Sequence, residues 1–451
     1  MINKSGTFFL LALFAILYLM PLPGQSTFFQ NDIQQRNGTE NPVLTGERCI
    51  TKSNNRGHID RAYPANWLRP AVPVMFGNNT FAARCLSSLA IGLTALVIFS
   101  LCFHCRGCGE QIPWLAVFVY LTLFGVAIIG TAGVLNALLS LFYTATVTCF
   151  FLATEEQPSL GKQWPLLLAA GLFAGCAFII GGVPAVVGPV LIAGPYLLLQ
   201  GRWHFIVPEL GLGPYLVLKG RMADTLRLFW LPVVGAVLIG LPWAMALPFQ
   251  GHGFHSLFLS GLNDLTPFFS AGTTRNPHRL ISSILPVMFM PWILLVPAAL
   301  AGWRKRKEQK TARDRLFCLC VCWFLFTIYF IFLSGPRGVF SMLPCFPPLA
   351  ILMSLGLGQL RQCDEKGMQY LQRGIGVAIL LVFIILPALT EFYPMQSGWM
   401  QYLGNSWRES LFVGIPATLM LTIALRIRRV EWKIRVFALS FVLFPVLAHL
   451  T

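Results

Sequence analysis

The chain has 451 residues, of which 56% are hydrophobic and only 11% are charged. A water-soluble protein of this length needs far more charge at its surface, so the composition excludes a soluble globular class and indicates a polytopic membrane protein. The net charge of +16 does not call for nucleic acid, because basic residues concentrated in cytoplasmic loops explain it by the positive-inside rule.

A spanning helix needs about 20 mostly apolar residues, and by this test the sequence predicts an all-α protein with about thirteen such helices. They form a single membrane domain over residues 1–451. The predicted helices lie near residues 7–22, 84–103, 112–129, 131–153, 164–181, 184–200, 228–248, 281–301, 316–333, 338–357, 374–391, 409–425 and 436–450. The pairs within 112–153 and 164–200 could each be one broken segment. The first segment is predicted to be a retained helix, because no small-residue cleavage site follows it.

Basic residues are unevenly distributed between alternate loops, as in residues 304–315 and 426–435, which predicts a cytoplasmic amino end and an outer carboxyl end. The first outer loop, residues 24–83, is polar and roughly 60 residues long, whereas most loops are short. Smaller polar outer loops cover residues 249–280 and 392–408. Long loops on a rigid scaffold often carry chemistry, so the first outer loop is the predicted catalytic region.

Two acidic positions in this loop are candidates for catalysis. Asp32 follows the first helix by about ten residues, and Asp60 is followed directly by Arg61. A carboxylate above the bilayer can deprotonate an acceptor hydroxyl, and an arginine can neutralise a phosphate. Ordinary solvated loop residues are the alternative interpretation.

Two groups of residues have the spacing of metal ligands. One consists of Cys102, His104, Cys105 and Cys108, and the other of His252 and His255. Boundary cysteines at a helix end and histidines in a glycine-containing loop are the simpler interpretations. The sequence therefore predicts no metal site and no cofactor, although it leaves room for a divalent metal.

Several short motifs occur in one fixed order along residues 5–360. A first helix and an acidic loop precede Phe-Gly-x-x-x-Phe-Ala-Ala-Arg at 76–84. Further landmarks are Leu-Pro-Trp at 241–243, Arg-Asn-Pro at 275–277, Leu-Pro and Pro-Trp within 285–292, and Ser-Gly-Pro-Arg and Leu-Pro-Cys-Phe-Pro-Pro-Leu within 334–349. Together they resemble the lipid A aminoarabinose transferases, which are related to the protein O-mannosyltransferases and have the C-type glycosyltransferase fold.

The resemblance implies a transferase that takes a sugar from a polyprenyl-phosphate carrier and passes it to a lipid or glycan acceptor. It would act on the outer face of a bacterial inner membrane, in a cavity beneath the first outer loop. Asp32 would serve near the acceptor, and Asp60-Arg61 would take the place of a Glu-Lys motif that binds substrate. Arg275 and Arg337 would contact the carrier phosphate. Membrane lipids are the other expected partners.

The chain also departs from this family at several positions. Ile33 replaces the second acid of an Asp-Glu motif, Asn136 replaces an aspartate and Gly181 replaces a lysine. The carboxyl-terminal soluble domain of the aminoarabinose transferases is expected to be absent. These departures leave the sugar and acceptor open. Three alternatives therefore remain, namely a transporter or flippase for a lipid-linked substrate, an inactive relative, and a non-catalytic scaffold.

Overall fold

The structure is a computed structural model. It describes residues 4–19, 51–52, 59–60, 80–105, 107–131, 136–155, 160–197, 230–242, 285–304, 312–334, 342–360, 365–381, 407–427 and 429–448.

The amino-terminal half contains eight described helices, most of them apolar throughout. They are α1 (Lys4–Phe14, continued by a π-helical turn Ala15–Leu19), α2 (Thr80–His104), α3 (Gln111–Thr122), α4 (Phe124–Thr131), α5 (Asn136–Glu155), α6 (Leu160–Gly181), α7 (Val183–Leu197) and α8 (Trp230–Pro242).

The carboxyl-terminal half contains six more described helices of nine residues or longer, besides a short helical stretch at 285–288. They are α9 (Val296–Arg304, preceded by the 3-10 turn Trp292–Leu295), α10 (Ala312–Ser334), α11 (Phe346–Leu357), α12 (Glu365–Leu380), α13 (Trp407–Arg426) and α14 (Val430–Ala448). α12 starts nine residues before the span predicted at 374–391, because its first turns are amphipathic, with Tyr370 and Arg373 exposed.

Part of the first outer loop forms a short antiparallel ribbon of two strands. β1 (Thr51–Lys52) pairs with β2 (Ile59–Asp60), with Thr51 opposite Asp60 and Lys52 opposite Ile59. Among the described residues, every other regular element is helical. The predicted all-α class therefore holds for the membrane part, and the ribbon belongs to the loop.

Two of the predicted spans are interrupted. The segment predicted at 112–129 breaks at Leu123, which is extended (φ −67°, ψ 128°), and the segment predicted at 281–301 breaks at Pro291 after a cis peptide bond. Proline has no N–H to continue a helix, which explains the second interruption. The first interruption lies against the second. The Phe124 N–H donates to the Met290 carbonyl at 2.9 Å instead of to a carbonyl of α3. The prediction of continuous helices there is wrong.

Small residues bring several helices into close contact. Gly302 of α9 packs on the Gly356 carbonyl of α11, and Gly171 of α6 packs on Pro232 of α8. Inside a bilayer apolar side chains gain nothing by leaving lipid, so close backbone packing is a main source of helix association. Gly182 separates α6 from α7 with a φ of 70°, a conformation that glycine adopts readily. The segment 164–200 is therefore two helices.

The described helices also present apolar side chains outward, as a lipid-facing surface requires. Exposed examples are Leu93 and Leu96 on α2, Leu238 on α8 and Leu419 on α13. Three described helices are long and apolar enough to cross a membrane, over Cys85–His104, Asn136–Thr154 and Gln163–Gly181, and shorter apolar helices accompany them.

Replacing Gly125 by alanine should destabilise the bundle. The added methyl group would overlap the Phe346 ring and stand 3.0 Å from the Met288 carbonyl oxygen. Overpacking of this kind costs about 1–3 kcal/mol, so the melting temperature of the purified chain in detergent should fall. Gly376→Ala in α12 is the matched control, because nothing lies within 4 Å of its added Cβ. Equal melting temperatures for the two variants would contradict the close packing.

Candidate functional site

The two interrupted helices meet at one buried point, which we call the junction: Tyr18, residues 121–124 and residues 290–292. Trp292 is fully buried, and its indole Nε1 donates to Thr122 Oγ1 at 3.0 Å. The Thr122 hydroxyl in turn donates to the Phe118 carbonyl at 2.7 Å. The Thr122–Phe118 bond is the ordinary one within α3, whereas the Trp292–Thr122 bond joins the two breaks and holds them against each other.

The helices before and after the first outer loop meet at the junction. Tyr18, in the last turn before the loop, donates its hydroxyl to the Leu121 carbonyl at 2.9 Å, an acceptor left open by the break in α3. Ser88, two turns after the start of α2, donates to the Tyr18 carbonyl at 3.2 Å. The helices that precede and follow the loop with Asp32 and Asp60 are therefore joined to each other at Tyr18.

The junction lies well above one face of the bundle. At that face Gly107 lies next to Arg313, and an Arg313 guanidinium nitrogen donates to the Leu355 carbonyl at 3.0 Å. We call it the Arg313 face; α3 starts there and α11 ends there. Each has 12 residues. At about 1.5 Å per residue each helix rises about 18 Å, more than half of a hydrocarbon core about 30 Å thick.

A small cavity of about 30 Å³ opens beside the junction. Its lining is apolar except for Thr122 and backbone: Leu17, Leu121, Thr122, Phe124, Ala127, Met290, Pro291 and Phe441. This volume accommodates on the order of one or two water molecules and is too small for a sugar phosphate. The cavity lined by the described residues therefore does not by itself hold a sugar phosphate.

Of the five site residues predicted from the sequence, the structure describes only Asp60, and of Asp60 only the backbone, which ends β2. Asp32, Arg61, Arg275 and Arg337 lie outside the described residues. Described residues further along the chain lie near the junction. Residues 290–292, which follow Arg275 in sequence, belong to it, and Phe346, which follows Arg337, packs edge-on against Phe289 with ring centroids 5.8 Å apart. The roles of the five site residues stay predictions.

Two positions at which the chain departs from the family pattern lie close together. Asn136 opens α5 and is half-buried, and Gly181 ends α6. A Cβ at position 181 would stand 2.9 Å from Cδ1 of Leu139, which lies one helical turn after Asn136. A lysine at 181 would have to displace Leu139. The aspartate expected at 136 and the lysine expected at 181 are both replaced by uncharged residues. The pair is therefore lost together, and no single uncompensated charge is left at this packed helix end.

The side chains of the cysteine-rich segment are not arranged around one point, as a metal site would require. Cys102 and Cys105 are buried, whereas His104 is exposed and its Nδ1 lies 2.9 Å from the Ser100 carbonyl oxygen. Within the described residues no group of three His, Cys, Asp or Glu side chains is placed to hold a metal ion. His252 and His255 lie outside them.

Comparisons with known sequences bear on this geometry. The family described as dolichyl-phosphate-mannose-protein mannosyltransferase matches residues 60–258. The undecaprenyl phosphate-alpha-4-amino-4-deoxy-L-arabinose arabinosyl transferase of Shewanella sediminis is 25% identical over 415 residues, which cover 90% of this chain and 70% of that protein. Its namesake in Aeromonas hydrophila is 26% identical over 381 residues, covering 83% and 64%. The chain thus spans about two thirds of the length of these relatives.

Solved structures extend the likeness to the fold. ArnT from Cupriavidus metallidurans bound to undecaprenyl phosphate matches with a TM-score of 0.72 and 15% identity, over 99% of this chain and 77% of that chain. The same protein in the apo state matches with a TM-score of 0.66. The chain therefore has the C-type glycosyltransferase fold. The resemblance and the multi-pass membrane fold inferred from the sequence are confirmed, whereas the number of about thirteen helices and the extent of the first loop stay predictions.

Few signals in the sequence point to the groups that build the junction. Trp292 belongs to a Pro-Trp landmark of the family pattern, which was its only signal. Thr122 and Tyr18 lie within apolar runs and resemble ordinary helix residues. An isolated threonine in a spanning segment normally bonds a carbonyl of its own helix, so its long-range partner was not visible in the sequence.

Thr122→Val should destabilise the chain by leaving the buried Trp292 Nε1 without its acceptor, at a cost of about 1–3 kcal/mol. The measurement is thermal unfolding in detergent. Thr146→Val is the matched control, because the Thr146 hydroxyl donates only within α5, to the Phe142 carbonyl at 2.8 Å. Thr122→Ser should retain most of the stability. A loss no larger in Thr122→Val than in Thr146→Val would contradict the proposed importance of the Trp292 hydrogen bond.

Proposed function

We propose that the chain transfers a sugar from a polyprenyl-phosphate donor to a lipid or glycan acceptor of the cell envelope. The observation that carries the proposal is the junction. Tyr18 and Ser88, which precede and follow the loop with Asp32 and Asp60-Arg61, meet there, and so do residues 290–292, which follow Arg275 in the chain. Support comes from the shared fold, one of whose members is solved with undecaprenyl phosphate bound, and from relatives named as undecaprenyl-phosphate-sugar transferases.

The proposed reaction is a direct displacement at the anomeric carbon of the donor sugar. The acceptor hydroxyl oxygen forms a bond to that carbon while the bond from the carbon to the carrier phosphate breaks. Asp32 takes the proton of the hydroxyl, and the phosphate leaves with the electron pair. Arg275 and Arg337 offset the charge on the departing phosphate, whose oxygens match the guanidinium geometry.

The substrates lie above the junction rather than inside it, because the cavity of about 30 Å³ is too small for them. The hydrogen bonds of Tyr18 and Trp292 hold this floor in one arrangement. Asp60-Arg61, at the end of the ribbon, would shape the loop over the bound donor. A rigid floor under a long loop keeps the reacting groups in register and limits access by water.

Asp32→Asn and Arg337→Gln should each lower sugar transfer at least about 100-fold, because one removes the base and the other the stabilisation of the leaving phosphate. The measurement is transfer of radiolabel from polyprenyl-phosphate sugars to extracted envelope acceptors in proteoliposomes. Glu110→Gln and Arg373→Gln are matched controls, since both residues are exposed and Glu110 lies at the Arg313 face.

The outcomes separate the competing functions. Transfer by the wild type and both controls but not by the two site variants supports the enzyme. Donor movement across the bilayer that is equal in all variants, without transfer, would establish a flippase instead. Donor binding without transfer or movement would identify an inactive relative.

Transfer should continue in excess EDTA, because the proposed mechanism stabilises the phosphate with arginines and needs no cofactor. The measurement is the initial rate of transfer with EDTA, with Mg²⁺ and with Mn²⁺. A rate that collapses in EDTA and returns with either metal would show that a divalent ion shares the work of Arg275 and Arg337.

The proposed location is a bacterial inner membrane, with the amino end cytoplasmic and the junction toward the periplasm. The Arg313 face supports this orientation, because α10 begins there with Arg313 and Arg315, and cytoplasmic ends are rich in basic residues. The long polar loop leaves α1 and enters α2 at the opposite side.

Cysteines introduced on the two sides should react in opposite vesicle orientations. Asn37→Cys should react with a membrane-impermeant maleimide in right-side-out vesicles, and Glu110→Cys in inverted vesicles, each measured above the background of the parent chain. The reverse pattern would overturn the orientation, and labelling of both in the same vesicles would overturn the separation of the two faces.

A further inference from the structure

The turn between α2 and α3 carries two cysteines that sugar transfer does not use. Its sequence is Cys105-Arg106-Gly107-Cys108, three residues before the start of α3. Cys105 is 3% exposed and Cys108 is half-buried. The Cys108 N–H donates to the Cys105 carbonyl at 3.2 Å, and Gly107 takes a φ of 96°, which closes the turn and brings the two side chains together.

The two thiols interact, and a cation stands beside them. A hydrogen bond from the Cys105 side chain lowers the pKa of the Cys108 thiol, partial burial opposes this, and the nearby Arg313 guanidinium lowers it further. Arg313 is held in place by its bond to the Leu355 carbonyl. Cys108 therefore has the electropositive, partly exposed surroundings that favour a reactive thiolate, with a buried second thiol next to it.

We propose that Cys105 and Cys108 form a thiol–disulfide exchange site for low-molecular-weight disulfides. The Cys108 thiolate attacks one sulfur of the small disulfide and forms a mixed disulfide, while the other sulfur leaves as a thiolate. The Cys105 sulfur, losing its proton, then attacks the Cys108 sulfur and expels the second small thiolate. The protein dithiol is oxidised by two electrons, the small disulfide is reduced, and the two cysteine protons end on the two small thiols.

The placement separates this site from the proposed transfer site. The turn lies at the Arg313 face, and the junction lies about 18 Å away along α3. A metal role has less support, because no group of three His, Cys, Asp or Glu side chains among the described residues is placed to hold a metal ion. α2 and α3 both run from this turn to the junction, where they carry Ser88 and Thr122. Oxidation would therefore cross-link the chain ends of two helices that hold the junction together.

The test uses the full chain in detergent, equilibrated with mixtures of reduced and oxidised glutathione and quenched with acid. Free thiols are counted by the gel shift with a polyethylene glycol maleimide, and peptides are mapped by mass spectrometry. The wild type should lose both thiols to a Cys105–Cys108 disulfide. Cys105→Ser should keep a glutathione adduct on Cys108, because the second attack is blocked. Cys108→Ser should form neither product, and Cys176→Ser, in α6, should behave as the wild type.

Two results would overturn the proposal. One is a wild type that keeps both thiols reduced across the whole range of mixtures. The other is an adduct that forms equally on Cys105 in the Cys108→Ser variant, because Cys108 would then not be the attacking thiol. Arg313→Gln should slow formation of the adduct on Cys108 in the Cys105→Ser background, whereas Arg373→Gln should not. Equal rates of adduct formation in the two variants would show that Arg313 does not act on Cys108 and would contradict the proposed activation.

Discussion

The hydrogen bond from the Phe124 N–H to the Met290 carbonyl is the constraint on which the rest of the structure depends. No water is available in the bilayer core, so a helix that breaks there must find partners for its freed backbone groups inside the protein. Here two helices break at the same height and supply each other. Tyr18 caps the carbonyl of Leu121, and Trp292 joins Thr122. Pro291 requires one break, and the packing around it requires the other.

This arrangement divides the bundle into two ends with different roles. At one end, about 18 Å from the junction along α3, Arg313 ties the α2–α3 turn to the end of α11. At the other end Tyr18, which precedes the long polar loop in the chain, meets Leu121, and residues 290–292 complete the junction. Irregular backbone at membrane depth is tolerated where it lines a cavity or is buried in protein, and both conditions hold here. The chemistry of a membrane-embedded transferase fits the second end.

The sequence predicted the class, the fold and most of the described helices, because apolar runs and motif order are local signals. The spans at 84–103 and 164–181 agree closely with α2 and α6. The break at Leu123 could not be predicted, since its cause lies at Met290, far along the chain. The same holds for the closeness of Gly181 and Leu139. Such features arise from packing between helices, which hydropathy does not encode. The predicted roles of the five site residues still rest on the sequence pattern.

The central claim is that the polyprenyl-phosphate donor binds with its phosphate over the junction. The most direct measurement is photocrosslinking of the purified chain with a polyprenyl phosphate that carries a diazirine next to the phosphate, followed by peptide mapping. The account predicts adducts in the segments that meet at the junction, within residues 17–36, 272–292 and 334–346. Competition by unlabelled carrier should remove them. Adducts confined to the Arg313 face, within residues 102–111 and 304–315, would contradict the account.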